Sequence, residues 1–322
     1  MPGVLASLPF TLQEAADAGV SRKRLRHRGL SQPSRGVRVP DPTAALLLAP
    51  RIRPFTLVTE FAAASHASAF LLWEFPGFLP GSDEPILHIS RPDTSAIMRR
   101  PGVKGHRGQF FADEIVNHAG LLVTSRPRTW LDCARRMSIE ELTVVADHLL
   151  RVPRPRFEGR AEPHATKDDL ADMLDRHKGT PGIRKARVAL DRARVGSDSA
   201  PETRLRLALE DAGLPDPVVN MPLELHSGVV RQPDLGYPER KVAVEYDGEP
   251  HSVAGQIVRD IAREEDFVSA GWLLVRISRL HMERDARPAV AKVRAALTAR
   301  GWHPGEDNQV ARSAVMGRQK GT

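Results

Sequence analysis

Residues Val242 to Asp247 read VAVEYD, and a strict period of two is the signature of a β-strand. Val242, Val244 and Tyr246 share one face, and Ala243, Glu245 and Asp247 share the other. Glu245 and Asp247 therefore point the same way, about 6 to 7 Å apart along the strand. Just upstream, Val229 to Leu235 reads as a second strand, and the turn Tyr237 to Arg240 folds it back antiparallel, which sets Asp234 beside Glu245. Carboxylates gathered like this repel and raise one another's pKa. A divalent cation removes the conflict, and hard oxygen ligands without cysteine or an H-x-x-x-H pair favour Mg²⁺ or Mn²⁺ over zinc. For two carboxylates alone, the alternative is an acidic strand face that is simply wet.

Several flanking residues bear on the same chemistry. Glu202 stands in Ser199-Ala200-Pro201-Glu202, a capping box with proline just inside the helix, so it has a capping role to set beside any role in water or ion positioning. His251 follows the strand and is a candidate general base or phosphate contact. Lys241 and Arg259 are the nearby sources of positive charge. Asp260, on a helix beginning near Gly255, either joins the site or pairs at the surface with its neighbours Arg263 and Glu264. Trp272 to Ser278, WLLVRIS, reads as another strand.

The formal charge of +7 over 322 residues is unevenly placed. Residues 1–40 carry seven Lys/Arg against two acids, residues 151–198 twelve against eight, and residues 199–300 fourteen against sixteen. A basic front suggests attraction to a polyanion, and an acidic back suggests a carboxylate site. The single cysteine, Cys133, forbids an intramolecular disulfide and fits a reducing cytoplasm. The N-terminus lacks signal-peptide character, and the longest apolar run, Ala44 to Pro50, is far short of the ~20 residues of a bilayer span. A cytoplasmic protein with no membrane partner is expected.

In the basic front, Thr11 to Ala18 reads as a short helix stopped by Gly19. Ser21 then caps a second helix, SRKRLRHRG, with Arg22, Lys23, Arg24, Arg26 and Arg28 arrayed around Leu25. A hairpin-like SQPSRGVRVP follows, completing a winged helix-turn-helix pattern. The second helix would enter the major groove and Arg35 or Arg38 on the wing would touch phosphate; a solvated basic helix without a specific partner is the plain alternative.

Two resemblances come from these stretches. The helix-turn-helix, GVRVP, SHASA (Ser65 to Ala69) and TSRPRTWLDCARRMSIEEL (Thr124 to Leu142) resemble the AbiEi-like antitoxin/regulator family over about the first 150 residues. That family implies DNA binding and no catalysis in the middle segment, so His66, Asp132 and Cys133 are taken as packing or capping residues. PETRLRLALEDAGL, PDLGYPERKVAVEYDGEPH and RDIAREEDFVSAGWLLVRIS are similar to the endonuclease-like domains of the PD-(D/E)xK superfamily related to the Vsr endonuclease. Carried over by position, that resemblance makes Asp234 and Glu245 the metal ligands, with a backbone carbonyl near Tyr246, and makes Glu202 the helix acid. Asp247 stands where most of the superfamily has lysine, as is usual in the Vsr-related branch, so the lysine role is left unfilled.

The expected fold class is α/β (α+β): a restriction-endonuclease-like mixed sheet flanked by helices at the back, and a winged helix-turn-helix with a small α+β domain at the front. The expected divisions are residues 1–45 for the winged helix, 46–150 for the AbiEi-like domain, 151–198 for a linker with two helices, 199–300 for the nuclease-like domain and 301–322 for a disordered tail. The function implied is metal-dependent hydrolysis of DNA phosphodiester bonds, with Mg²⁺ or Mn²⁺ as cofactor and Asp234, Glu245, Asp247, Glu202 and His251 as the catalytic candidates. The partners implied are double-stranded DNA, a second copy of the chain, and a toxin–antitoxin or defence partner. The competing reading is a DNA-binding regulator whose nuclease-fold domain is catalytically idle. RNA-directed cleavage is disfavoured, because two Tyr and ten Phe form no stacking motif of the kind single-strand readers use.

Overall fold

The computed structural model describes residues 3–40, 47–154, 158–225, 228–248 and 254–305, and the chain is a mixed α/β protein. It divides into two compact units. One comprises Met1–Leu149 with His164–Arg192, the other Leu150–Pro163 with Ala193–Thr322. The two helices expected within the 151–198 linker therefore belong to the front unit, whereas the proline-rich stretch groups with the back unit. No helix among the described residues is long and apolar enough to cross a membrane.

In the back unit, four strands lie in the order Leu273–Ser278, Val242–Asp247, Leu235–Tyr237, Val218–Val219. The first pair is parallel and the other two pairs are antiparallel. The alternation of VAVEYD is used on both faces. Val242 and Val244 pack with Leu205, Leu209, Val293 and Leu297, from the helices Ala200–Asp211 and Arg287–Ala299. Ala243 packs on the other side with Phe267 and Trp272, Phe267 coming from the helix Ala254–Ser269. Burying each large apolar side chain contributes about 1.5–3 kcal/mol, so these two clusters hold the strand in place from above and below.

Two expectations change here. Val229 to Leu235 is not one strand: Val230–Arg231 pairs with Leu223–Glu224 in a separate ribbon, and Leu235–Tyr237 pairs with Val242–Val244. Pro233 sits at the break, where its missing N–H cannot serve a ladder. The reversal that follows is a 3₁₀ turn, Pro238–Arg240, closed by Lys241 in the left-handed region at φ 49°. The tail begins later than residue 301, because Trp302 is buried in the core and its N–H bonds Leu297 O at 3.0 Å. Residues 306–322 of the expected tail lie outside the described residues.

In the front unit, a six-stranded mixed sheet runs in the order Arg99–Arg100, Val103–Gly108, Leu87–Pro92, Ala63–Ala64, Leu121–Thr124, Ile115–His118. The helix Leu12–Asp17 starts as expected, with Thr11 Oγ1 accepting from Glu14 N–H at 3.0 Å while the Glu14 carboxylate accepts from Thr11 N–H at 2.9 Å. The second helix of the basic segment does not form. Residues 21–29 hold a single 3₁₀ turn, Arg24–Arg26, since five of the nine are Arg or Lys and one apolar side chain, Leu25, gives a longer helix almost nothing to bury. The hairpin is present in reduced form: Ser31 bridges Val39, and Val37–Arg38 pairs with Phe10–Thr11.

Candidate functional site

The ladder of the back unit sets the site. Leu235 pairs with Val244, so Asp234, one residue earlier, lies opposite Glu245 at the end of the antiparallel pairing. Asp234 Oδ2 accepts a hydrogen bond from Tyr246 N–H at 2.7 Å, and Oδ1 has no partner among the described residues. Burial pushes the Asp234 carboxyl up to about 7. Negative charge on Glu202 and Glu245 acts in the same direction, with the Tyr246 N–H and Arg263 opposing. Asp234, just before the strand Leu235–Tyr237, therefore feels both the helix acid Glu202 and the strand acid Glu245.

Glu202 is buried in the first turn of the helix Ala200–Asp211, where Pro201 stands at its start. Its Oε1 accepts from Ser199 Oγ at 2.7 Å and its Oε2 from Asp198 N–H at 2.9 Å. The capping role is therefore real, although the backbone partner is Asp198 and not the cap residue. Burial raises its carboxyl above the ordinary carboxylate range against these hydrogen bonds. A helix acid placed this way is both a cap and a neighbour of Asp234.

Glu245 is half-buried and paired. Arg263 donates from Nε to Glu245 Oε1 at 2.7 Å, and its Nη2 closes a second contact to the same oxygen. Arg263 also reaches Gln232 O at 3.3 Å and lies over the Phe267 ring at 5.9 Å. Arg263 is the cation that pairs with Glu245, where Lys241 or Arg259 is the expected source of positive charge. Lys241 cannot serve: it precedes Glu245 by four residues, about 13 Å along a strand, and its Nζ lies near Gly271 at the other end of the ladder. The signal for Arg263 was present in the helical period, because Phe267 is buried under the sheet and Arg263 is one turn earlier on the same face.

The remaining candidates are more dispersed. Asp247 ends the strand and is exposed, opposite Ser278. His251 lies outside the described residues, as do the side chains of Arg259 and Asp260. Among the described residues, no group of three or more His, Cys, Asp or Glu side chains is arranged to hold a metal ion. The two expected metal ligands, Asp234 and Glu245, lie opposite one another at the end of the ladder, and Glu245 is paired with Arg263. In the front unit, Arg22, Lys23, Arg24, Arg26 and Arg35 are exposed. Arg38 is turned inward, donating to Leu25 O at 3.2 Å and Val37 O at 3.0 Å.

No known family model matches the chain, and no solved structure matches it. Similar proteins occur in two strains of Mycobacterium tuberculosis, both described as uncharacterized, each 28% identical over 160 residues. The alignment covers 49% of this chain and 55% of each relative, so the chain spans about half the length of the curated relatives it matches.

Proposed function

We propose that the back unit is a divalent-metal-dependent endonuclease site acting on double-stranded DNA, and that the exposed basic segment of the front unit contributes DNA affinity. The observation that carries this reading is Asp234 opposite Glu245 at the end of the ladder, with negative charge on Glu202 acting on Asp234. A carboxyl kept near neutrality by burial and two like charges is an arrangement with no benefit to stability and a clear use in holding a cation. The resemblance of this segment to the PD-(D/E)xK superfamily supports the same reading.

Asp234 and Glu245 are the residues that would hold the ion. A bound divalent cation supplies charge compensation at the scissile phosphate. Arg263 steadies Glu245 and places a guanidinium where negative charge develops, and Glu202 keeps Asp234 protonated or cation-bound by repulsion. The exposed cations Arg22, Lys23, Arg24, Arg26 and Arg35 offer phosphate contacts whose strength falls with salt.

A second reading has its own observation in favour. Glu245 is already neutralised by Arg263, which is how a nuclease fold serving only as a DNA-binding regulator would dispose of a leftover carboxylate. Plasmid DNA incubated with the protein in Mg²⁺ or Mn²⁺, beside Asp234→Ala, separates the two: metal-dependent nicking by the wild type alone supports the nuclease, and no nicking by either supports the regulator. Changing Arg22, Arg24 and Arg26 together to Ala is expected to weaken binding in a gel shift by about tenfold or more and to reduce its salt dependence by up to about three phosphate contacts. Unchanged affinity would remove the basic segment from the DNA interface.

A further inference from the structure

Two residues that the sequence assigns to packing or capping, His66 and Asp132, share a pocket of the front unit. Its parallel pair Leu87–Pro92 and Val103–Gly108 sets Ser90 level with His106, and the helices Arg126–Cys133 and Lys167–Arg176 bring Asp132 and the segment after Arg176 to the same place. Between them is a pocket of about 460 Å³, within the range of small-molecule sites. Its lining includes Arg107, Arg128, Arg135, Arg176 and Lys178, and among its lining residues Asp132 is the acid.

Arg128 and Arg176 are committed to carboxylates: Arg128 to Asp132 and Glu114, Arg176 to Asp113. Arg107, Arg135 and Lys178 are exposed and have no carboxylate partner among the described residues. The mouth of the pocket therefore carries a surplus of positive charge. Inside, His66 and His106 stack with ring centroids 3.7 Å apart, and His106 Nε2 lies 3.1 Å from His88 Nδ1. Burial brings His66 and His106 down to about 3, so both are neutral near pH 7 and present hydrogen-bonding edges without charge.

Asp132 supplies the decisive detail. Its Oδ1 accepts from Arg128 Nε at 2.8 Å, but its Oδ2 is buried with no hydrogen-bond partner among the described residues. His66 Nδ1 is 4.0 Å away and is occupied with Ser65 Oγ at 3.1 Å. A buried polar oxygen without a partner costs about 1–3 kcal/mol, and because Asp132 lines the pocket, a ligand donor that reaches this oxygen would satisfy it. His66 is moreover held at φ 49°, a left-handed conformation that costs a histidine energy and is often retained at binding sites.

We propose that this pocket binds a small phosphorylated molecule that carries hydroxyl groups, a nucleotide or a sugar phosphate, with the phosphate among Arg107, Arg135 and Lys178 and a hydroxyl donating to Asp132 Oδ2. The site is independent of the carboxylates of the back unit and of the nuclease reading.

Calorimetric titration of the full chain with ribose 5-phosphate, adenosine monophosphate, inorganic phosphate and ribose tests it. Ribose 5-phosphate or the nucleotide is expected to bind about tenfold or more tightly than inorganic phosphate, and ribose not to bind at up to about 10 mM. Whichever of the two phosphorylated ligands binds more tightly identifies the source. Arg135→Ala with Lys178→Ala, both exposed and so compatible with folding, is expected to weaken that binding by about tenfold or more. Asp132→Asn is expected to erase the preference for the hydroxylated ligand over inorganic phosphate while phosphate still binds; should that variant fail to fold, the double variant decides alone. No binding of either phosphorylated ligand, or binding unchanged in the double variant, overturns the proposal.

Discussion

At pH 8, Asp234→Asn is expected to be more stable than the wild type. The wild-type carboxyl is pushed up to about 7 by burial and by Glu202 and Glu245, whereas in the unfolded chain it titrates near ~4. The folded state therefore holds its proton to higher pH than the unfolded state, and stability falls as pH rises through the window from ~4 to ~7. Three pKa units correspond to ~4 kcal/mol at most, and asparagine removes that cost while keeping an acceptor for the Tyr246 N–H. Hydrogen exchange of Val242, Ala243 and Val244 reads it directly: the variant's amides are expected to be slower at pH 8 and to converge with the wild type below pH ~4. Equal protection at both values would mean that the carboxylates do not strain the fold.

The opposite sign is expected for Arg128→Ala in the front unit. Arg128 is buried, bonds Asp132 Oδ1 and Glu114 Oε2, donates to Gln109 O at 2.7 Å and lies over the Phe110 ring at 4.1 Å. Glu114 is itself fully buried and bonded to His177 at 2.6 Å. Removing the guanidinium leaves buried Asp132 without its cation and Glu114 with only Arg176 at 3.6 Å, a loss of about 3–5 kcal/mol. Urea unfolding followed by exchange of the helix Arg126–Cys133 is the measurement, and a change below about 1 kcal/mol would show that the network is as weak as a surface ion pair.

The legible parts of this molecule are those set by local chemistry. VAVEYD forms a strand because its alternation suits two covered faces, Ser199 and Pro201 start a helix at the position their side chains and ring dictate, and the 3₁₀ turn at Pro238–Arg240 returns the chain so that Asp234 meets Glu245. What stayed hidden depends on distant partners. Nothing near Val230 says that it pairs with Glu224 and not with the carboxylate strand. Nothing near Trp302 says that its ring completes a core begun at Leu205. The basic segment SRKRLRHRG has helix-capping chemistry but no apolar stripe, so tertiary packing has little to hold and one 3₁₀ turn results. Arg263 was missed because its partner is 18 residues away in sequence. His66 and Asp132 are taken from the sequence as packing or capping residues, and only the sheet register and the helix Arg126–Cys133 reveal that they share a pocket wall with His106.

The stability of Asp234→Asn gives the nuclease proposal its sharpest control, since a variant more stable than the wild type cannot lose activity by unfolding. Supercoiled plasmid relaxation at pH 8 in Mg²⁺ or Mn²⁺, with Asp234→Asn beside the wild type, is the most direct test. Metal-dependent nicking is expected of the wild type, abolished by chelation and lowered about 100-fold or more in the variant, as when a group that stabilises developing charge is lost. Nicking of equal rate by both proteins, or relaxation that persists after chelation, would contradict the nuclease proposal.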